Sequence, residues 1–195
     1  MMMAEEPRPP SGIGALIEQM TWIASRGSIM DGDRRYLMLR ADLLMGLLRE
    51  LPPDARRPAM EAFATSVRKH GGQLARAYFD ACGARPAALL ETITRHSPEL
   101  GWGHWHMDAH SDDAIEVTVD SSPFAEGFGA SPDPVCYAIV GMPQAVGSIV
   151  YGRPVIVVET GSAVPEGVDR CSFQAMPVSA GGNDGAPLAG EREAP

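Results

Sequence analysis

Cysteine is scarce in this chain. Its 195 residues hold three, an odd and sparse set that makes no disulfide framework and reads as reduced thiols in a cytoplasmic protein or as metal ligands. Long apolar runs are missing too. The longest, from Val135 to Val140, is far too short to cross a bilayer, and no basic stretch followed by an apolar one opens the chain, so nothing points to export. Positive charge is in deficit: 16 Lys and Arg stand against 25 Asp and Glu, a net charge of −9. A protein that neutralises a nucleic-acid backbone needs the opposite balance, which counts against that partner. Nucleotide motifs are also absent. Gly12-Ile13-Gly14 has no strand before it, and Gly161 with Gly167 has neither the spacing nor the lysine of a phosphate loop. Ser122 lies in no Gly-x-Ser-x-Gly elbow and Pro123 follows it, so a turn or strand-end role fits better than a nucleophile.

What is present is ordinary globular material, 45% apolar and 21% charged, enough for one domain with a core. Residues 1–11 read as a flexible tail rich in proline, and 178–195 as a disordered tail of small and polar residues, which leaves a single domain over 12–177. Its first half has helical spacing. Ser11 caps a stripe from Ile13 to Ala24, with Gly27 as the stop. Asp31-Gly32-Asp33 turns into a short strand over Arg35 to Arg40, and a helix follows from Ala41 to Leu51 until Pro52-Pro53 ends it. Asp54 caps the next helix, whose stripe is Met60, Phe63, Ala64, Val67, Leu74 and Tyr78. Gly71-Gly72 interrupts that stripe and calls for close packing of another element ahead of a bend. A further helix opens at Pro86 and runs through Thr94, with Cys82 a core thiol before it.

In the second half the period drops to two. His104 and His106 alternate with Trp105 and Met107; Ile115, Val117 and Val119 alternate with Glu116, Thr118 and Asp120. Asp112-Asp113 joins the two as an antiparallel hairpin. Strands follow over Val155 to Val158 and over Arg170 to Met176, the latter with Cys171, Phe173 and Ala175 on one face. Between strands two and three, Pro134 to Val150 reads as a buried helix that Pro143 bends or breaks. The class is α+β: N-terminal helices on a small, mostly antiparallel sheet with an inserted helix.

The run from Val117 to Ala125 (V-T-V-D-S-S-P-F-A), then Asp133-Pro134-Val135-Cys136-Tyr137, Gly141 and Gly147, Gly152-Arg153-Pro154-Val155, Glu159-Thr160 and finally Gly167 with Cys171-Ser172-Phe173 resembles the 4-vinyl reductase domain family. The match covers residues 101–176 and is faint over 32–100. The resemblance implies a fold related to vesicle-tethering and haem–nitric-oxide domains, in a bacterial protein that binds small hydrophobic ligands. Members include sensor domains of aromatic-responsive transcription activators and an accessory protein of bacteriochlorophyll synthesis. No ATPase or DNA-binding segment accompanies the match, so a stand-alone member is expected. Some sensors hold zinc with Cys…Glu-x-x-Cys…Cys. Cys136, Glu159 and Cys171 occupy three of those places and Ser162 the fourth, and a serine hydroxyl is a poor zinc ligand. The other reading buries both thiols as small apolar groups, with Glu159 paired to Arg170 or capping the next loop.

Other chemistry-bearing residues leave alternatives open. His104, His106, Asp108 and His110 fall on one strand face, as a surface metal site or, more simply, a solvated polar face. Eleven methionines, among them Met20, Met38, Met45, Met60, Met107 and Met142, suit either an adaptable pocket or plain core filling. The expected ligand pocket lies between the helical layer and the sheet, walled by Trp102, Trp105, Val119, Phe124, Phe128 and Tyr137, for an aromatic or tetrapyrrole-like guest. Three functions follow. The first is a cytoplasmic sensor or carrier with an unidentified downstream protein. The second is an accessory factor or reductase, drawing a proton from His104, His106 or Glu159 and a hydride from outside, since there is no nucleotide cofactor motif. The third is a homodimeric interaction module using the sheet edge or the helix from Ile13 to Ala24.

Overall fold

The computed structural model describes residues 16–111, 113–161 and 169–178. Residues 1–11 and 179–195 of the expected tails, Gly12-Ile13-Gly14, Asp112, Ser162 and Gly167 lie outside that set, as do the side chains of His110 and Ser111, whereas Val178 is described and its amide donates to the Pro154 carbonyl at 2.9 Å.

The architecture is α+β, as expected, with one departure at its start. Helix α1 is a single turn (Leu16–Gln19) and does not run on to Ala24. Instead β1 (Thr21–Ile23), β2 (Ser28–Asp31) and β3 (Arg34–Tyr36) form a three-stranded antiparallel sheet in the order β1-β2-β3. The reason lies in the residues. Thr21, Trp22 and Ile23 are β-branched or aromatic and prefer a pleated ribbon, and Gly27, at φ +55, supplies the left-handed turn that folds them back. In register, Trp22 lies beside Ile29 and Ile29 beside Tyr36, an apolar row across all three strands. The strand expected to reach Arg40 stops at Tyr36, and Leu37–Arg40 continues as an exposed strap. No residue from Ile17 to Leu44 is buried.

Helices α2 (Ala41–Glu50), α3 (Pro53–Ala81) and α4 (Pro86–Glu99) follow. Pro52-Pro53 separates α2 from α3 as expected, but Asp54 is no cap. Pro53 occupies the first turn after an extended Pro52, and Asp54 sits within that turn, where its carboxylate opposes the helix dipole. Helix α3 passes through Gly71-Gly72 without interruption. A Cβ on Gly71 would meet Met142 Cε at 2.7 Å, and one on Gly72 would meet the Ala145 Cβ at 3.1 Å, so the pair admits a neighbouring helix. Helix α4 extends beyond Thr94 to Glu99 with Pro98 in its last turn. The Glu99 carboxylate accepts from the Leu16 amide and so ties α1 to the end of α4.

Strands β4 (His104–Ser111), β5 (Ala114–Asp120), β6 (Val155–Gly161) and β7 (Arg170–Pro177) build a second antiparallel sheet in the order β4-β5-β7-β6. Between β5 and β6 lie a short helix that the sequence reading did not anticipate, α5 (Pro123–Phe128), and α6 (Tyr137–Tyr151). Helix α6 carries Pro143 within it and is not broken there. It is held on two sides. A Cβ on Gly141 would fall 2.2 Å from the Ala64 carbonyl of α3, and one on Gly147 would fall 3.0 Å from Val155 of β6. The sheet's inner face is closed: Trp105, Ile115, Val117, Val119, Cys171, Phe173 and Ala175 are each at most 1% exposed. Burial of side chains the size of Val or Phe stabilises the fold by about 1.5–3 kcal/mol apiece.

Candidate functional site

Two arrangements in the core carry chemistry. The first joins the start of α6 to the inner face of the sheet. Cys136 precedes α6, Cys171 lies on β7 opposite Val119, and Glu159 lies on β6 opposite Phe173. One ligand atom from each of the three converges within 4.8 Å. Both thiols are wholly buried, and their sulfurs stand 3.1 Å apart. Ser122 closes the group from the other side, with its Oγ 3.4 Å from Cys136 Sγ. Ser122 also caps α5 by accepting from the Ala125 amide, which is the turn role its setting suggested. Hydrogen bonding with Cys171, then burial, pushes the Cys136 thiol well above its ordinary range, while Ser122 acts in the opposite sense.

The donor set suits zinc. Two sulfurs and a carboxylate make three protein ligands, and a tetrahedral ion with Zn–S near ~2.3 Å needs its sulfurs roughly 3.8 Å apart. The two thiols would lose their protons and spread by about 0.7 Å to receive it. The alternative pairing of Glu159 with Arg170 is corrected. Arg170 forks onto Asp120 across the ladder, at 2.7 and 3.2 Å, and holds the Asp120 carboxyl below its ordinary range.

The second arrangement was missed in the sequence. Tyr78 of α3 and His96 of α4 meet edge to face, ring centroids 5.0 Å apart at 73°, and both are buried. The Tyr78 hydroxyl makes no hydrogen bond with any described residue. Burial, then the charges of Tyr36 and Asp31, raise its pKa, so it remains a protonated donor throughout the ordinary pH range. In the sequence Tyr78 falls within an apolar stripe, and His96 lies beyond the expected end of its helix. The signal existed: Leu89, Ile93 and His96 recur at helical spacing, which puts an imidazole on the buried side.

The six predicted pocket walls do not close around one cleft. Trp105 and Val119 are cross-strand partners in the core, and the Trp105 Nε1 donates to the Trp102 carbonyl at 2.9 Å. Phe124 is buried, with Trp102 (5.1 Å) and Phe63 (6.1 Å) against it edge to face. Phe128 and Tyr137 line a cleft of about 360 Å³ whose mouth carries Arg56, Arg57 and Asp133. Trp102 lines a different and more apolar cleft of about 570 Å³, together with Met20, Met38, Tyr36, Glu99 and Leu100. Tyr36 and Glu99 are also among the groups whose charges act on Tyr78. The methionines divide as well: Met45 and Met60 fill core, Met142 meets Gly71, and Met38 is exposed.

His104, His106 and Asp108 are exposed, on the face opposite Trp105 and Met107, and His106 Nε2 lies 3.8 Å from the Asp120 carboxylate. This is the solvated strand face. As proton donors to a guest in the core, His104 and His106 are corrected, because their side chains point away from it. Among the described residues no helix is long and apolar enough to cross a membrane.

No protein-family model matches the chain, and no curated protein does. Solved structures do. The phenol-responsive sensory domain of the transcription activator PoxR, solved with phenol, is similar at 20% identity and a TM-score of 0.68, over 83% of this chain and 86% of that one. A vinyl-4-reductase family protein from Methanocaldococcus jannaschii is similar at 13% identity and a TM-score of 0.41, over 71% and 91%. The H-NOX domain of Shewanella woodyi is similar at 14% and 0.45, over 87% and 85%. The first of these likenesses shows that the chain has the fold of that sensory domain.

Proposed function

We propose that this protein is a cytoplasmic sensor or carrier that binds a small, largely hydrophobic ligand bearing one hydrogen-bonding group, works as a homodimer, and holds one zinc ion at Cys136, Glu159 and Cys171. The observation that carries the ligand reading is the Tyr78 hydroxyl, a buried donor without a hydrogen-bond partner among the described residues, set beside the buried His96 ring. Leaving such a donor unpaired costs about 1–3 kcal/mol, and a guest with an acceptor atom removes that cost. The fold shared with a phenol-responsive domain supports the same reading. The guest reaches Tyr78 from the cleft of Trp102, Met20 and Met38, whose size falls within the ~300–1,000 Å³ of small-molecule sites. Trp102, through its contact with Phe124, joins that cleft to the core where Trp105 and Val119 lie. The converging thiols and carboxylate support the zinc assignment. The cytoplasmic location rests on the sparse, odd cysteine set.

The test is calorimetric titration of the full chain with phenol and with toluene, which differ by one hydroxyl. Both bind, and Tyr78→Phe weakens phenol about tenfold, near ~1.4 kcal/mol, while leaving toluene unchanged. If neither compound binds, or if Tyr78→Phe treats both alike, the anchoring role of Tyr78 is wrong.

A further inference from the structure

We propose that the cleft between the beginning of α3 and the beginning of α6 is a second small-molecule site, and that it takes a carboxylate of single negative charge with an apolar, aromatic-sized body. It shares no lining residue with the Trp102 cleft, so it goes beyond the reading of that cleft and does not depend on it. Three observations carry the proposal.

The first is a cation without a counterion. Arg56 of α3 lines the cleft and is half-buried. Its Nη2 donates to the Arg49 carbonyl at 2.7 Å and to the Leu51 carbonyl at 3.2 Å, and its guanidinium carbon stands 5.9 Å from the centre of the Phe128 ring. The head is therefore held in place before any guest arrives. Those contacts occupy one nitrogen of three. Neither Nε nor Nη1 has a hydrogen-bond partner among the described residues, and no carboxylate among them pairs with this side chain. Acids outnumber bases in the chain, yet none is set against Arg56. The N–H groups left over suit carboxylate oxygens.

The second is the charge of the lining. Arg57 adjoins Arg56 in the cleft and is exposed. Its Nε donates to Glu61 at 3.0 Å, and that hydrogen bond is the main cause that strengthens its charged form, with Tyr137 and Asp133 of the cleft acting in the same sense. Glu61 lies outside the lining, and Asp133 is the one carboxylate within it. Two guanidinium groups against one carboxylate leave a single positive charge, which matches a monoanion and not a dianion.

The third is shape. The cleft holds about 360 Å³, within the ~300–1,000 Å³ of small-molecule sites. Beside the arginines its walls are Met60, Phe128, Val135 and Tyr137. Pro53, Pro132 and Pro134 stiffen the edge, since each fixes its own φ. Ser131 Oγ ties the same loop, accepting from the Asp133 amide at 3.2 Å and donating to the Asp133 carbonyl at 2.9 Å. A site shaped in advance loses little freedom on binding. An inorganic anion would leave these walls uncovered, and a neutral arene would leave Arg56 unmatched.

The test is an NMR titration of the full chain, observed at its backbone amides, with benzoate, benzyl alcohol and inorganic phosphate. Benzoate shifts the amides of Ser131, Asp133 and Tyr137. Benzyl alcohol, which keeps the ring without the charge, and phosphate, which keeps charge without the ring, bind there at least ~tenfold more weakly. Arg56→Gln weakens benzoate about tenfold. Arg57→Gln, on an exposed side chain, weakens it about threefold and serves if Arg56→Gln unfolds. Tyr78→Phe leaves benzoate at these amides unchanged. Benzoate that shifts none of them by ~10 mM, shifts only those around Trp102, or binds equally in whichever arginine variant folds refutes the site. Phosphate or benzyl alcohol that matches benzoate refutes the ligand class.

Discussion

The sheet β1–β3 and the sheet β4–β7 are both antiparallel, yet only the second owns a buried face. In β5 the residues Ile115, Val117 and Val119 are fully buried while Glu116 between them is exposed, because helices cover one side and water the other. In the small sheet Trp22, Ile29 and Tyr36 are as regularly placed, but they line an open cleft with Leu44, Leu100 and Trp102 and none of them is buried. Alternation decides which side chains share a face; whether that face is buried depends on what lies over it.

Four measurements sharpen or break this contrast. The largest effect belongs to Phe173, fully buried in the large sheet. Phe173→Ala costs about 3–5 kcal/mol in urea unfolding, and a loss below ~1 kcal/mol would mean the face is not packed as described. Next comes the metal. The purified protein carries about one zinc per chain, and Cys136→Ser or a strong chelator removes it, lowering stability by about 2–3 kcal/mol through lost linkage. Metal analysis well below one equivalent in the wild type ends that assignment. The small sheet answers more weakly. Trp22→Ser changes the unfolding free energy of the dilute chain by less than ~0.5 kcal/mol, as surface changes do, and a multi-kcal loss would show that the sheet is already covered within one chain.

The smallest effect is electrostatic. The Asp120 carboxyl is held below its ordinary value, chiefly by its hydrogen bond with Arg170. A depressed folded-state pKa contributes stability that is present above the unfolded-state value and lost as pH falls through the folded one. The stability gap between wild type and Asp120→Asn should therefore be open at neutral pH and close in acid. Because this pair is solvated, the gap stays at about 0.3 kcal/mol or below. A gap that widens on acidification contradicts the assignment.

Much of the large sheet was legible because its strands are long enough to show their period. β5 offers three buried positions in alternation, and the hairpin with β4 follows. The glycine pair of α3 was legible for a similar reason: two missing side chains on a stripe leave room that something must fill, and α6 fills it. The small sheet was not. A strand of three residues shows barely one alternation, so Thr21-Trp22-Ile23 passed as the end of a helical stripe. The same brevity hid α5, whose single turn begins at the Ser-Pro that read only as a turn. Cys136, Glu159 and Cys171 come from distant segments, and family resemblance, not periodicity, brought them together. Tyr78 and His96 escaped because each was judged by its own neighbours in sequence, whereas their significance lies in facing one another across two helices.

The three tryptophans are spread over these environments in a way that can be exploited. Trp22 stands in solvent on the small sheet, Trp102 is half-buried between cleft and core, and Trp105 is sealed behind the ladder. Their emission should accordingly be separable by colour and by dissolved quenchers. Acrylamide reaches the first freely, the second partly and the third scarcely. Without any dye or tag, one spectrum would then distinguish guest entry, which perturbs the two indoles that line the cleft, from denaturation, which uncovers the last.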